Sequence, residues 1–75
     1  MDLKETVRAT ARAQALLSDE SEALSVTSIT IVELVLALEE AAGIEIPNRE
    51  MTVDNFATVS SVVVMLERLR AATPA

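Results

Sequence analysis

The sequence contains no cysteine, histidine, tryptophan or tyrosine, and Phe56 is its only aromatic residue. The lack of cysteine excludes disulfides, thiolate metal sites and a cysteine nucleophile, and the lack of histidine removes the commonest general base and metal ligand. The carboxylates, hydroxyls and single lysine that remain form no recognisable catalytic pair or triad. These absences predict that the chain is not an enzyme.

Basic residues are also scarce, since six Lys and Arg stand against twelve Asp and Glu, for a formal net charge of −6. This charge repels nucleic acid phosphates and anionic membrane surfaces, and it favours basic protein partners. The longest nearly apolar run, residues 29–38, contains Glu33 and is too short to span a bilayer. The first residues include Asp2 and Glu5, unlike a signal peptide. We therefore expect a monomeric cytoplasmic protein with no nucleic acid or membrane partner.

Hydrophobic residues make up 51% of the 75-residue chain, and nearly all of them are aliphatic, which suits packed helices. Residue spacing and helix propensity predict helices over residues 3–17, 28–42 and 59–70, with a short turn of helix over 52–57. A polar break over residues 18–22 separates the first two helices. Gly43 and Pro47 end the second. The expected fold is all-α, a small four-helix bundle with a short third helix, in one domain over residues 1–75.

The second predicted helix has two apolar faces at about 100° per residue. One face is wide enough to fill the core of a small bundle, and it consists of Ile31, Leu34, Val35, Leu38 and Ala42. The opposite side carries Ile29, Val32 and Leu36, which we call the docking strip. Because the first face already accounts for packing, the strip is a candidate surface for binding another protein.

Carboxylates border the docking strip, with Glu33 and Glu40 beside it and Glu39 on its flank. Two plainer interpretations remain open at this stage. The last helix could cover the strip, or the strip could be ordinary exposed aliphatic surface. The acids could likewise form a solvated face.

Ser28 lies where the loop meets the second helix. A phosphate attached there would be favoured by the free N–H groups of the first turn and by the helix dipole, by about 0.3 to 1 kcal/mol. The plainer interpretation is that Ser28 caps the helix, as Ser and Thr commonly do. Thr30 and Glu33 would form a capping box if the helix began slightly later.

The segment around Ser28 has a distinctive pattern: residues 24–40 read LSVTSITIVELVLALEE and residues 44–47 read IEIP. This pattern resembles the central part of acyl carrier proteins. In that family L-G-x-D-S-[LI] opens the recognition helix, V-E-L-V-x-A-L-E-E continues it, and an E-I-P loop follows. Residues 55–59 and 66–69 also resemble the third and fourth helices of the family, so the resemblance covers nearly the whole chain.

The resemblance implies that Ser28 carries 4′-phosphopantetheine, derived from coenzyme A, and that acyl or aminoacyl groups travel on it as thioesters. It also implies that Glu33, Glu39 and Glu40 meet basic patches on partner enzymes, while the docking strip (Ile29, Val32 and Leu36) supplies the apolar contact between these carboxylates. Thr27 is a further residue expected to contact partners. The implied partners are a phosphopantetheinyl transferase and a ketosynthase, acyltransferase or adenylating ligase.

The sequence departs from the family pattern near the serine. Thr27 stands where Asp is usual, Ser25 where glycine is expected, and Thr30 and Asn48 where primary fatty-acid carriers commonly have acids. The segment before Ser28 is also shorter than usual. These departures favour a carrier of a specialised pathway, polyketide or nonribosomal in type, over a fatty-acid synthase carrier. Because the sequence begins at Met1 and ends soon after the fourth predicted helix, we expect the carrier to be free-standing.

Two rival functions are compatible with the sequence. The chain could be a carrier-like structural or regulatory docking subunit that is never modified, with Ser28 as a helix cap, and Thr27 is the residue that most favours this alternative. A small enzyme is disfavoured because no nucleophile and base form a pair.

Overall fold

The computed structural model of the chain describes residues 2–17 and 23–72. That part contains three α-helices, α1 (Leu3–Ala13), α2 (Ser28–Ala42) and α3 (Val59–Ala72), and one 3₁₀ turn (Asn48–Glu50). Its only strand-like pairings are the isolated bridges Leu17–Leu24 and Ala23–Thr58. The all-α prediction is confirmed, and the prediction of four helices is wrong. The polar break predicted at 18–22 lies outside the described residues.

Helix α1 begins with an Asp2 cap, whose side chain accepts the Lys4 N–H at 3.0 Å. It ends at Ala13, four residues before the predicted end. Ala15 adopts a left-handed conformation with φ of 57°, the Ala15 N–H donates to the Arg12 carbonyl at 3.0 Å, and the Leu16 N–H donates to the Ala11 carbonyl at 2.9 Å. These bonds form a Schellman motif, which usually has glycine at the left-handed position. Leaving the helix allows Leu16 to be buried.

Helix α2 has the predicted bounds. It ends at Gly43, whose φ of 68° is left-handed and whose N–H donates to the Glu39 carbonyl at 2.9 Å. Glycine adopts this conformation without the steric cost that a Cβ imposes. The predicted core face is buried at Ile31, Leu34, Val35 and Leu38, and Ala42 at its end is half-buried.

The short third helix expected at residues 52–57 is not formed. A single turn is closed there by the Phe56 N–H, which donates to the carbonyls of Thr52 at 3.2 Å and Val53 at 3.1 Å. The nearest helical geometry is the 3₁₀ turn Asn48–Glu50, just after Pro47. The turn at 52–57 nevertheless places the Phe56 side chain in a fully buried position.

Helix α1 packs against both α2 and α3. The largest fully buried side chains come from α2, α3 and the turn before α3, and they are Phe56, Leu34, Leu38, Met65 and Leu66. The core is therefore aliphatic around one aromatic ring, as the composition indicates. None of the helices within the described ranges is long and apolar enough to cross a membrane.

Candidate functional site

The chain enters α2 along a segment that backbone hydrogen bonds hold at two points. The Leu24 N–H donates to the Ala57 carbonyl at 2.8 Å, just before α3, and the Ser25 N–H donates to the Leu16 carbonyl at 2.9 Å, just after α1. Leu24 itself is buried. The entrance to α2 is thus attached to the end of one neighbouring helix and to the beginning of the other.

Thr27 is the N-cap of α2. Its hydroxyl oxygen accepts the Thr30 N–H at 3.3 Å, while the Thr30 hydroxyl oxygen accepts the Thr27 N–H at 2.6 Å. This reciprocal pair is a capping box made of two threonines in place of the usual Ser or Thr with Glu or Gln. The expectation that Ser28 could be the cap is wrong, as is the capping box considered between Thr30 and Glu33. The cap lies one residue earlier because Thr27 has the extended backbone of a cap, with φ of −123° and ψ of 174°.

Ser28 is the first residue of α2, and it is exposed. Since Thr27 supplies the cap, the Ser28 hydroxyl is not used in closing the first turn. No residue in the described ranges makes a hydrogen bond with it. The positive end of the helix dipole lies at this turn, where it favours an anionic group. Ser28 therefore presents an accessible hydroxyl at a position that suits a phosphate.

The docking strip is exposed. Ile29 retains 73% of its accessible surface, Val32 46% and Leu36 62%. Neither α1 nor α3 covers these side chains, so the interpretation that the last helix buries the strip is wrong. The strip follows directly from Ser28, because Ile29 is the next residue and the other two lie one and two helical turns further on.

The three carboxylates around the strip differ in their surroundings. Glu33 and Glu40 are exposed. Glu39 is half-buried, and one of its oxygens accepts the Ile46 N–H at 2.8 Å. Glu39 therefore holds the loop after α2 in addition to any role in docking, which periodicity could not indicate because Ile46 is outside the helix.

The sequence did not predict the polar contact between Glu50, in the 3₁₀ turn after α2, and Arg68 in α3. Glu50 is only 8% exposed, and its carboxylate receives two hydrogen bonds from the Arg68 guanidinium, at 2.8 and 3.0 Å. These hydrogen bonds hold the pKa of Glu50 below its ordinary value, and the carboxylate in turn raises the pKa of Arg68. No motif marks a pair separated by 18 positions, so the sequence offered no signal for it.

The described residues include no group of three or more His, Cys, Asp or Glu placed to hold a metal ion. Two of the predicted site residues carry a hydroxyl, and because that of Thr27 is used in the capping box, the Ser28 hydroxyl is the more available attachment point for a covalent group. Thr27, Glu33, Glu40 and the docking strip share the exposed surface of α2 with it. A scan of protein-family models finds none that matches the chain, and searches of the curated proteins and of the solved structures find no match either.

Proposed function

We propose that this chain is a carrier protein that bears 4′-phosphopantetheine on Ser28 and passes acyl or aminoacyl thioesters between biosynthetic enzymes. The observation that carries the proposal is the exposed Ser28 hydroxyl, left without a hydrogen bond among the described residues because Thr27 caps the helix. A serine needed only for the fold would be expected to make the capping bonds itself.

The chemistry of the site fits the prosthetic group. The Ser28 hydroxyl oxygen would attack the pyrophosphate of coenzyme A, so that a phosphodiester to Ser28 forms as the pyrophosphate bond breaks and adenosine 3′,5′-bisphosphate leaves. The hydroxyl proton would pass to a base on the transferase, since this chain has no histidine. The bound group supplies the thiol that a sequence without cysteine cannot provide. Ser28 needs no buried pocket for this role, because the hydroxyl must reach the active site of another enzyme.

The surface beside Ser28 supports a role in docking. The docking strip offers apolar contact within two turns of the serine, and Glu33 and Glu40 provide exposed negative charge next to it. Such an arrangement favours partners with a basic patch around an apolar centre. The partners proposed are a phosphopantetheinyl transferase and a ketosynthase, acyltransferase or adenylating ligase.

Thr27 makes the entrance neutral where the family usually has a carboxylate. We therefore place the carrier in a specialised pathway, polyketide or nonribosomal in type, whose transferase need not contact a negative charge at that position. Asp can also cap a helix, so Thr27→Asp would add the charge while retaining the cap. This variant tests whether the charge at position 27 selects the transferase.

The proposal is tested by incubating the protein with coenzyme A and a broad-specificity phosphopantetheinyl transferase, followed by intact-mass analysis. We expect a gain equal to one phosphopantetheine group, lost in Ser28→Ala and kept in Ser25→Ala, the matched control at an exposed serine of the same segment. No gain in the wild-type protein, or a gain that persists in Ser28→Ala, would refute the proposal.

A second function is favoured by the exposed docking strip alone. An unmodified carrier-like subunit that serves only for structural or regulatory docking would use the strip and the carboxylates but not the Ser28 hydroxyl. In that case Ser28→Ala would bind its partner as the wild type does, and protein from the native host would carry no added mass. A native transferase that accepts only Thr27→Asp would also favour this alternative.

A further inference from the structure

The contact between Glu50 and Arg68 joins the loop before α3 to the outside of that helix. Arg68 Nη2 lies 2.8 Å from Glu50 Oε1, and Arg68 Nη1 lies 3.0 Å from Glu50 Oε2. A paired contact of this kind fixes direction as well as distance, because the planar guanidinium matches the two carboxylate oxygens. Arg49, whose Nε is 3.9 Å from Oε2 and whose side chain is largely exposed, adds only a peripheral charge.

Hydrogen bonds continue from Glu50 toward the beginning of α3. The Asn55 side-chain amide donates to the Glu50 carbonyl at 2.8 Å and to Glu50 Oε1 at 3.2 Å. The Ser61 hydroxyl lies within hydrogen-bond distance of two carbonyls, those of Asn55 at 3.0 Å and Thr58 at 2.9 Å, and its single proton is shared between them. Ser61 and Thr58 then exchange bonds in a capping arrangement, in which each side-chain oxygen accepts the other residue's N–H at 3.0 to 3.1 Å.

A final backbone contact connects this network to the segment that precedes Ser28. Ala57, which lies between Asn55 and Ser61 in the sequence, accepts the Leu24 N–H at 2.8 Å, and Ala23 pairs with Thr58. Leu24 precedes the Thr27 cap by three residues. The Glu50–Arg68 contact is thus connected, through residues 55–61, to the segment that delivers Ser28.

We propose that Glu50 and Arg68 are positioning residues for the entrance of α2. Their ion pair holds residues 48–58 in the arrangement in which the Ala57 carbonyl accepts the Leu24 N–H. It thereby restricts the conformations of residues 24–27, the segment that leads into Ser28. The inference rests on the proposed function only where it concerns loading of Ser28. It differs from a general stabilising role, because the effect of losing the pair should be concentrated at Leu24.

Native-state amide hydrogen exchange distinguishes the two roles, since it reports the opening of individual N–H groups. In Glu50→Gln we expect exchange at Leu24 to accelerate about tenfold more than exchange at Leu34, a core position of α2. The control is Val7→Ala, a buried change in α1 outside the network, which should accelerate both amides by similar factors. Equal factors at Leu24 and Leu34 in Glu50→Gln would overturn the inference.

Further variants at position 68 secure the result if Glu50→Gln folds poorly. Arg68→Met should reproduce the effect at Leu24, and the double variant with Glu50→Gln should add little to either single change, because both remove one contact. Arg68→Lys keeps the positive charge but not the planar guanidinium that bonds both carboxylate oxygens, so its Leu24 amide should be partly protected compared with Arg68→Met. Additive effects of the two single changes would contradict a shared contact.

Loading kinetics supply the functional readout. If the pair presents Ser28, its loss in Glu50→Gln should also displace the entrance in the folded molecules, so that a several-fold smaller fraction of the protein is competent for loading. The transferase KM then rises several-fold and kcat stays nearly unchanged. Val7→Ala should change neither. Faster exchange at Leu24 with an unchanged KM would overturn the positioning role. If the wild-type protein is not loaded at all, the proposed function fails, and the exchange experiment alone decides the inference.

Discussion

Leu34 and Leu36 are two positions apart on α2, and they lie on its two different faces, the core face and the docking strip. Leu34 is fully buried, whereas Leu36 retains 62% of its accessible surface. Leu34→Ala removes buried methyl groups and leaves a cavity, which costs about 2 to 5 kcal/mol. Full burial of a leucine contributes about 1.5 to 3 kcal/mol, so the smaller buried part of Leu36 contributes roughly 1 kcal/mol or less.

The size of the chain makes this difference easy to measure. At about 0.05 to 0.15 kcal/mol per residue, a domain of 75 residues has a free energy of unfolding of roughly 4 to 11 kcal/mol. Leu34→Ala should therefore remove a large fraction of the stability. In urea unfolding, its midpoint should fall well below that of Leu36→Ala while the m-value stays constant.

Binding to a partner enzyme should show the reverse order. Leu36→Ala removes apolar contact from the docking strip, so it should weaken binding of the loaded protein while its unfolding midpoint stays near the wild-type value. Leu34→Ala should bind with nearly wild-type affinity under conditions in which it is folded. Equal unfolding costs at the two positions, or unchanged partner affinity in Leu36→Ala, would refute the division of α2 into two faces.

Three further predictions concern polar contacts, and urea unfolding measures each of them. Thr27→Ala removes the helix cap and should cost about 0.5 to 2 kcal/mol, whereas Ser28→Ala should cost less than about 0.5 kcal/mol; equal costs would contradict the cap assignment. Glu39→Lys leaves a loop N–H without its acceptor and should cost about 1 to 3 kcal/mol, while Glu40→Lys should stay within about 0.5 kcal/mol; similar losses would show that the Glu39 bond contributes nothing. The pKa of Glu50 is lowered from 4.5, first by hydrogen bonds from its guanidinium partner, so its contribution is complete above about pH 4.5 and is lost as pH falls through the lowered pKa. The midpoint of the wild type should thus fall more steeply with acid than that of Glu50→Gln, and parallel curves would contradict this.

The bounds of α2 could be predicted because local signals mark both of its ends. Gly43 provides the left-handed residue that ends the helix, and the cluster of hydroxylated residues before Ile29 indicates where it begins. The spacing of apolar residues also separated the buried face from the docking strip. These features depend on a single helix, so the sequence of that helix contains nearly all the information they require.

The end of α1 could not be predicted in the same way. Alanine is the best helix former, yet Ala15 takes the left-handed position that glycine usually occupies. The local cost is offset by contacts distant in sequence, because leaving the helix allows Leu16 to enter the core and Leu17 to pair with Leu24. The short helix predicted at residues 52–57 is not formed for a similar reason, since the Asn55 side chain donates back to Glu50, which is itself bonded to α3.

At the candidate site, the sequence predicted that Ser28 lies exposed at the entrance of α2, but not which residue caps the helix and leaves the Ser28 hydroxyl available. Ser and Thr are similar in capping preference, so a Thr-Ser pair does not reveal which of the two is the cap. Backbone geometry decides it, through the extended conformation of Thr27 and the reciprocal bonds with Thr30. The second role of Glu39 was also hidden, because Ile46 lies beyond the end of the helix.

The position of the cap has a consequence for how function and stability are divided in α2. If Ser28 were the cap, attaching a phosphate would require the protein to replace a bond that holds the helix together, and loading would alter stability directly. With Thr27 as the cap, the Ser28 hydroxyl can be modified while both capping bonds remain. The phosphate then lies at the positive end of the helix dipole, where it should stabilise the first turn by about 0.3 to 1 kcal/mol. Thr27 therefore caps the helix as Asp also could but adds no negative charge, and under the proposed function that charge is the feature that a partner enzyme would recognise.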